Sequence, residues 1–174
     1  MKKIAFSLIA CLSIASSAFA GHQMASGKDY KGGPAAPCFG DHELQLDVFG
    51  LYGWSMKGEH EDGFGGGVGL NYFFSQNLGV GIDGTARDAD SALWTASASL
   101  IARFPLDLGG TCIAPYVLGG GGVQTNGTTH SAFHAGGGVE FRVAPAFGIF
   151  TEGRYIWAGD DDQLQARLGF RVVF

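Results

Sequence analysis

Apolar and polar residues alternate with a period of two along most of the chain from residue 43 to residue 174. In the terminal segment RLGFRVVF, apolar side chains occupy every second position, and arginine or glycine falls between most of them. This period is typical of a β-strand whose two faces meet different surroundings. Because chain ends in water fray, a strand that ends on a bare phenylalanine indicates that something other than water lies there.

The same alternation recurs in eight segments of about 10–14 residues, a length that suits one tilted strand crossing of a bilayer. The fifth segment, at about residues 112–124, is the least regular. Pro115 and the glycines at 119–122 weaken its strand propensity and blur which side chains share a face. After residue 20 the sequence contains no run of 18 apolar residues, so a membrane helix is excluded, whereas membrane strands are not.

The connections between these segments alternate in character. Those after segments one, three, five and seven read KGEHEDG, DAD, TNGTT and GDDD, whereas those after two, four and six are SQN, DLGG and AP. Asn126–Gly127 and Pro145 supply turn chemistry at two corners. With the N-terminus in the periplasm, the first, acidic set lies outside the cell.

A closed barrel is the arrangement of these strands that satisfies every backbone N–H and C=O group in lipid, since an open sheet would leave two bare edges. We therefore predict an all-β fold: an eight-stranded antiparallel up-and-down transmembrane β-barrel over residues 43–174.

Aromatic residues collect at the ends of the predicted strands, as expected for girdles at the two bilayer interfaces. The tryptophans fall at the ends that the strand count places outside, and most of the other rings fall at the opposite ends. The predicted girdle residues are Trp54, Tyr72, Phe74, Trp94, Phe104, Phe141, Phe147, Tyr155, Trp157 and Phe174.

The N-terminal 42 residues do not share the alternation. Residues 1–20 have two lysines, an apolar stretch and the ending Ala18-Phe19-Ala20, which match a secretory signal peptide. Residues 21–42 are polar and aperiodic, so we predict a flexible periplasmic segment. In the mature chain Cys38 precedes strand one and Cys112 opens strand five, both on the periplasmic side. A disulfide between them is predicted, with two free thiols as the alternative.

The end of the chain carries a polar residue, a glycine two positions later, and apolar residues at the third-last and last positions. With this signal and the eight segments, residues 43–174 resemble the small outer-membrane β-barrel family of Gram-negative bacteria, the OmpA-like or OmpX-like barrels. The resemblance implies recognition by the barrel-assembly machinery, but we expect neither the peptidoglycan-binding domain nor the long adhesive loops of some members. The assembly-signal residues are Arg167, Gly169, Val172 and Phe174.

Charged residues share the parity that faces the lumen, which an eight-stranded barrel fills with its own side chains. Because an isolated buried charge is costly, we expect these residues to pair and to close the lumen. The predicted network comprises Glu43, Asp47, Asp83, Arg87, Arg103, Glu140, Arg142, Glu152, Arg154, Arg167 and Arg171.

A closed lumen predicts a structural role in envelope integrity, with no enzymatic activity and no cofactor. The first alternative is a narrow porin-like channel for ions or small solutes. The second is a lipid A-modifying enzyme, because some eight-stranded outer-membrane proteins are lipid A deacylases with a Ser/His pair facing the bilayer. Against it, His130 and Ser131 are adjacent in a strand and point to opposite faces, whereas His134 and Glu140 face the lumen.

The predicted partners are outer-membrane lipid and lipopolysaccharide. The acidic segments at 59–62 and 159–162 favour contact with lipopolysaccharide phosphates through Ca²⁺ or Mg²⁺, or form a solvated rim. The formal net charge is -5, and loss of Lys2 and Lys3 with the leader makes it -7, which excludes nucleic acid. We expect a monomer.

Overall fold

The structure is a computed structural model that describes residues 38–56, 62–88, 92–107, 111–159 and 161–174. The predicted signal peptide and most of the predicted N-terminal segment lie outside these ranges. Within them, no helix is long and apolar enough to cross a membrane.

Eight long strands account for most of the described residues. Each strand pairs in antiparallel fashion with the next along the chain, as expected for short connections. A separate two-residue strand, Leu106–Asp107, pairs with Cys112 and Ile113. The eight are β1 Glu43–Ser55, β2 Gly63–Phe73, β3 Leu78–Arg87, β4 Leu93–Arg103, β5 Cys112–Thr125, β6 Thr129–Ala144, β7 Phe147–Ala158 and β8 Asp161–Val173.

The sheet closes on itself where the two ends of the chain meet. Strand β1 pairs with β2 on one side and with β8 on the other, from Gln45 opposite Val173 to Ser55 opposite Gln163. Closure leaves no long strand with an unpaired edge among the described residues, which is the condition for strands in lipid. The predicted eight-stranded antiparallel barrel is confirmed.

The irregular fifth segment forms a regular strand of 14 residues. It pairs with β4 from Tyr116 to Thr125 and with β6 over its whole length, so its glycines do not interrupt the ladder. They lie where the neighbouring strand approaches closely: an added Cβ on Gly120 or Gly122 would meet the backbone oxygen of Ala98 or Ala96. Glycine at these two inward positions is therefore what permits β4 and β5 to pack, because a side chain at either one would collide with the neighbouring backbone.

The two faces of the barrel invert the arrangement of a water-soluble protein. On β1, Val48 is 43% exposed on the outer wall, whereas the neighbouring Asp47 is 5% exposed in the interior. Exposed and buried side chains alternate in the same way along β4 and β7. A wall of this composition is suited to lipid, and an ionic interior is the usual content of small membrane barrels.

Tight connections close two corners of the barrel. Gly127 joins β5 to β6 with a φ of 112°, a conformation that L side chains rarely adopt. Between β6 and β7, Pro145 follows a register shift at Arg142 and Ala144, where the pairing is irregular and a residue without an N–H group is tolerated. Both corners use the turn residues that the sequence pattern indicated.

Candidate functional site: the charged lumen

The barrel interior contains all the side chains of the predicted charge network. Because side chains alternate strictly along a strand, one parity on each strand projects inward. The structure leaves each of these side chains at most 10% exposed. The inward set is Glu43, Asp47, Asp83, Arg87, Arg103, Glu140, Arg142, Glu152, Arg154, Arg167 and Arg171.

At the end of the barrel where β1 begins, Glu43 accepts bonds from two guanidiniums. Its Oε1 atom lies 2.9 Å from the Arg103 side chain and 2.8 Å from Arg142. The amide of Gln45 donates to the same oxygen. One carboxylate therefore serves two cations, and the charge balance must be completed by other acids.

Glu140 and Asp47 complete that balance through Arg171. Glu140, which is fully buried, lies 2.7 Å from Arg142 and 2.7 Å from Arg171. Arg171 also binds Asp47, which in turn accepts a bond of 2.8 Å from Asn71. We call these six charges the first network: Glu43, Asp47, Glu140, Arg103, Arg142 and Arg171.

A second network lies around Arg154. This guanidinium is 2.8 Å from Asp83 and 2.9 Å from Glu152. Arg167 approaches the same two carboxylates at 3.4 and 3.7 Å and donates to Gln165. The second network therefore comprises Asp83, Glu152, Arg154 and Arg167.

Each network is electrically neutral when its groups are ionised. The first holds three acids and three arginines, and the second holds two of each. Desolvation costs several kcal/mol per ion, so neutrality and multiple hydrogen bonds are what make this burial tolerable. The sixth arginine of the lumen, Arg87, belongs to neither network; its buried guanidinium lies against Gly53, where an added Cβ would collide with it.

Aromatic side chains fill the space between the ions. Arg103 lies 3.8 Å above the centre of the Phe73 ring, Arg167 lies 4.9 Å above Phe49, and Arg171 lies 4.7 Å above Phe150. Such contacts are most favourable when the cation is desolvated. The sequence analysis missed these inward rings, although strict parity reveals them: Phe49 is two residues from Asp47 and shares its face.

Tyr116 connects the two networks. Its hydroxyl donates to Glu152 in the second network over 3.0 Å, and its ring lies under Arg171 of the first at 5.7 Å. This residue was also absent from the predicted set, because it falls in the strand whose facing the sequence left blurred. The interior is therefore one continuous packed column rather than two separate ion clusters.

Residues 38–42 do not extend away from the barrel, as the predicted flexible segment would. Phe39 is 1% exposed and lies 4.8 Å from the Arg103 guanidinium and 4.6 Å from that of Arg142. The preceding Cys38 is joined by a disulfide to Cys112, with Cα atoms 5.7 Å apart. The end of the predicted segment thus covers the mouth of the lumen, because its aromatic ring packs on the cations there.

The residues considered for catalysis occupy different surroundings. His134 is buried in the lumen and is hydrogen-bonded to Ser99 over 2.8 Å, a pair that the sequence analysis did not identify. His130 and Ser131 are exposed near the start of β6. The Ser/His pair that the structure forms therefore faces the interior, away from lipid.

The predicted girdle residues all lie on the outer wall. Trp54, Trp94 and Trp157 are 38, 58 and 45% exposed at one end of the strands. At the other end, Tyr72 and Phe174 are 41 and 60% exposed. Phe74, Phe104, Phe141 and Phe147 lie at that second end, whereas Tyr155 lies beside Trp157.

The assembly-signal residues occupy the last strand and its end. Arg167 and Gly169 face the interior, Val172 is half-buried, and Phe174 is exposed on the wall. The Phe174 N–H donates to the carbonyl of Leu44 at 2.9 Å, so the chain ends while still paired to β1.

Of the two acidic segments considered for cation binding, 59–62 and 159–162, residues 59–61 and 160 lie outside the described ranges. Among the residues that are described, no group of three or more His, Cys, Asp or Glu side chains is arranged to hold a metal ion.

Solved structures with the same fold come from several bacteria. The N-terminal β-barrel domain of Pseudomonas aeruginosa OprF is 17% identical with a TM-score of 0.61, and the match covers 78% of this chain and 99% of that one. Neisserial surface protein A is 18% identical (TM-score 0.53; 76 and 96% covered), and Yersinia pestis Ail, the attachment invasion locus protein, is 16% identical (TM-score 0.53; 77 and 99% covered).

These likenesses define the class of the fold: the small eight-stranded barrel of outer-membrane proteins. No protein-family model matches the sequence. No curated protein matches it either.

Proposed function

We propose that this protein is an integral component of the bacterial outer membrane. The apolar wall, its aromatic rings at both ends and the closed backbone ladder support this location, because lipid accepts such a surface and water does not. The strand count then puts the covered mouth at Phe39 on the periplasmic side and the acidic connections outside the cell.

The role that the geometry supports best is structural: a passive barrel with a closed lumen that contributes to envelope integrity. The observation that carries this proposal is the pair of neutral charge networks. All ten of their side chains are at most 10% exposed, and Tyr116 and the inward phenylalanines fill the space between them. Continuous conduction would require water where these side chains are packed.

Single-channel recording in planar bilayers tests this role against the alternative of a narrow channel. We expect no steady conductance from the native protein. The double variant Glu152→Ala/Arg154→Ala removes one acid and one cation and keeps the second network neutral, and because the first network and Phe39 still fill the other end of the lumen, we expect it not to conduct either. A gel with and without boiling, on which folded barrels migrate differently, verifies folding of both proteins. Steady conductance by the folded native barrel would contradict a closed lumen.

The lipid A-modifying alternative needs nucleophile and base on the lipid side of the wall. The hydrogen-bonded Ser99–His134 pair is buried in the lumen, so it does not support that activity. Mass spectrometry of lipid A from cells with and without the protein tests this directly. We expect identical spectra, and a mass change that depends on Ser99 would overturn the proposal.

We further propose that the barrel is a monomer assembled by the barrel-assembly machinery and surrounded by lipopolysaccharide. The exposed wall supports lipid as the immediate neighbour, and the acidic connections support a contribution from divalent cations. Lipopolysaccharide copurifying with the protein is expected to decrease on chelation by EDTA, whereas an unchanged amount would argue against cation bridging.

A further inference from the structure

Residues 38–42 form a lid over one end of the lumen, which we call the N-terminal plug. Its central side chain, Phe39, packs on the guanidiniums of Arg103 and Arg142. Glu43, which binds both arginines, lies directly behind them. Because these groups belong to residues at the ends of β1, β4 and β6, the Phe39 ring is what separates them from solvent.

The plug is fastened on two sides of the barrel mouth. On one side, the Gln76 side chain donates to the Phe39 carbonyl over 2.8 Å, and its backbone N–H donates to Asp41 over 2.6 Å. On the other side, the disulfide ties Cys38 to Cys112, the first residue of β5. Gln76 lies between β2 and β3, so the two attachments are on different strand connections.

The free energy gained from the noncovalent contacts of the plug is similar in size to the conformational entropy that is lost when the plug becomes ordered. Ordering the backbone of the plug costs conformational entropy at each residue. Burial of one phenylalanine, two cation–π contacts and the hydrogen bonds of the plug to Gln76, Glu43 and Arg103 provide a gain of the same order. The disulfide restricts the open ensemble in addition, because it fixes the residue next to Phe39 at the mouth. The covalent bond therefore adds to the stability of the closed state.

We propose that the Cys38–Cys112 disulfide is a latch, that is, a reducible bond that holds the plug in place. Its reduction releases the plug and admits water to the half of the lumen that contains the first network. Both cysteines are half-buried rather than enclosed in the core, which leaves the bond within reach of a small reductant. The hydrogen bonds between the eight strands do not depend on the disulfide, so the sheet still forms a barrel after the plug leaves.

The reductant is a dithiol, either a small molecule or a thiol–disulfide oxidoreductase. Its thiolate attacks one sulfur of the latch, which breaks the S–S bond and forms a mixed disulfide. Its second thiol then displaces the remaining protein sulfur. Two electrons and two protons pass to the protein, which leaves Cys38 and Cys112 as thiols, and the dithiol becomes a disulfide.

Chymotrypsin digestion of the folded mature chain in detergent tests the latch. The Phe39–Gly40 bond is a chymotrypsin site that the plug protects while Phe39 is buried. After dithiothreitol treatment we expect cleavage there to accelerate at least about tenfold, which corresponds to about 1.4 kcal/mol in the opening equilibrium. The variant Cys38→Ser/Cys112→Ser is expected to be cleaved equally fast without reductant. Intact mass identifies the fragment that begins at Gly40, and a gel without boiling verifies the barrel.

Modification by phenylglyoxal provides a second measurement that does not depend on proteolysis. Arg103 is buried under the plug, whereas Arg167 is equally buried in the second network and serves as the internal control. Reduction is expected to expose Arg103 to the reagent and to leave Arg167 unmodified. If thiol titration shows complete reduction while Arg103 and the Phe39–Gly40 bond both stay protected, the disulfide is not a latch. Modification of Arg103 before reduction at the same rate as after reduction would also overturn the proposal.

Discussion

Arg171 and Asp47 form a two-point ion pair across the seam where the last strand meets the first. The Arg171 Nε atom lies 2.7 Å from Asp47 Oδ1, and its second nitrogen lies 2.6 Å from Oδ2. The two residues are directly opposite each other in the ladder between β1 and β8. A planar guanidinium matches a carboxylate in this way, so the pair fixes register as well as charge.

Replacement of Arg171 by lysine is expected to destabilise the barrel by about 2 kcal/mol, since an ammonium keeps the charge but not the fork of donors. Unfolding in urea, followed by tryptophan fluorescence in lipid vesicles, measures the loss. Arg167→Lys is the matched control, because Arg167 is also buried but lies 3.4 and 3.7 Å from its carboxylates. An equally large loss of stability in Arg167→Lys would mean that the two-point geometry of the Arg171–Asp47 pair does not determine its contribution to stability.

Gly120→Ala is expected to cost about 1–3 kcal/mol, because the added methyl group would overlap the backbone oxygen of Ala98 in the neighbouring strand. In the adjacent Gly119→Ala, the added methyl group would point to the outer wall and lie 3.6 Å from the His134 carbonyl oxygen, an ordinary contact distance. We expect Gly119→Ala to stay within about 0.5 kcal/mol of the native chain. The same urea titration distinguishes the two, and equal stabilities would contradict the close approach of β4 and β5.

Leu168 tests whether the middle of the wall is in lipid. It is 65% exposed and lies opposite Gly50 and Thr151, near the centre of its strand. In vesicles, Leu168→Arg is expected to lose about 2–4 kcal/mol, the cost of a charge at the midplane of a bilayer. Leu168→Ala separates the loss of side-chain volume from the effect of charge. If the arginine variant is as stable as the alanine variant, this part of the wall does not lie in the lipid bilayer.

Phe174 tests the proposed assembly signal. Phe174→Ala is expected to lower the fraction of protein assembled in the outer membrane of living cells, but to leave refolding in detergent nearly unchanged, because the side chain is 60% exposed. Phe170→Ala is the control, since Phe170 is 56% exposed on the same face but is not terminal. Gels of membrane fractions, run without boiling, measure assembly. A defect of equal size in both variants would indicate a general loss of apolar surface instead.

Much of the architecture was accessible from periodicity alone. Period two identified the strands and separated the wall from the lumen, since a residue's parity decides its face once the strand forms. The fifth strand was the weak point because its glycines carry no side chain whose polarity reports the face. The short strand Leu106–Asp107 was not predicted, because a two-residue pairing leaves no periodic pattern.

The sequence by itself determined that apolar side chains line the outer face of most strands and that the charged side chains share the opposite face. Only the tertiary structure decided which ions meet, as in the contact of Arg142 with both Glu43 and Glu140. It also decided that Phe39, in a segment without periodicity, covers those cations. Parity is a local property of an extended backbone, whereas pairing across a lumen depends on barrel closure, which brings together residues up to 124 positions apart.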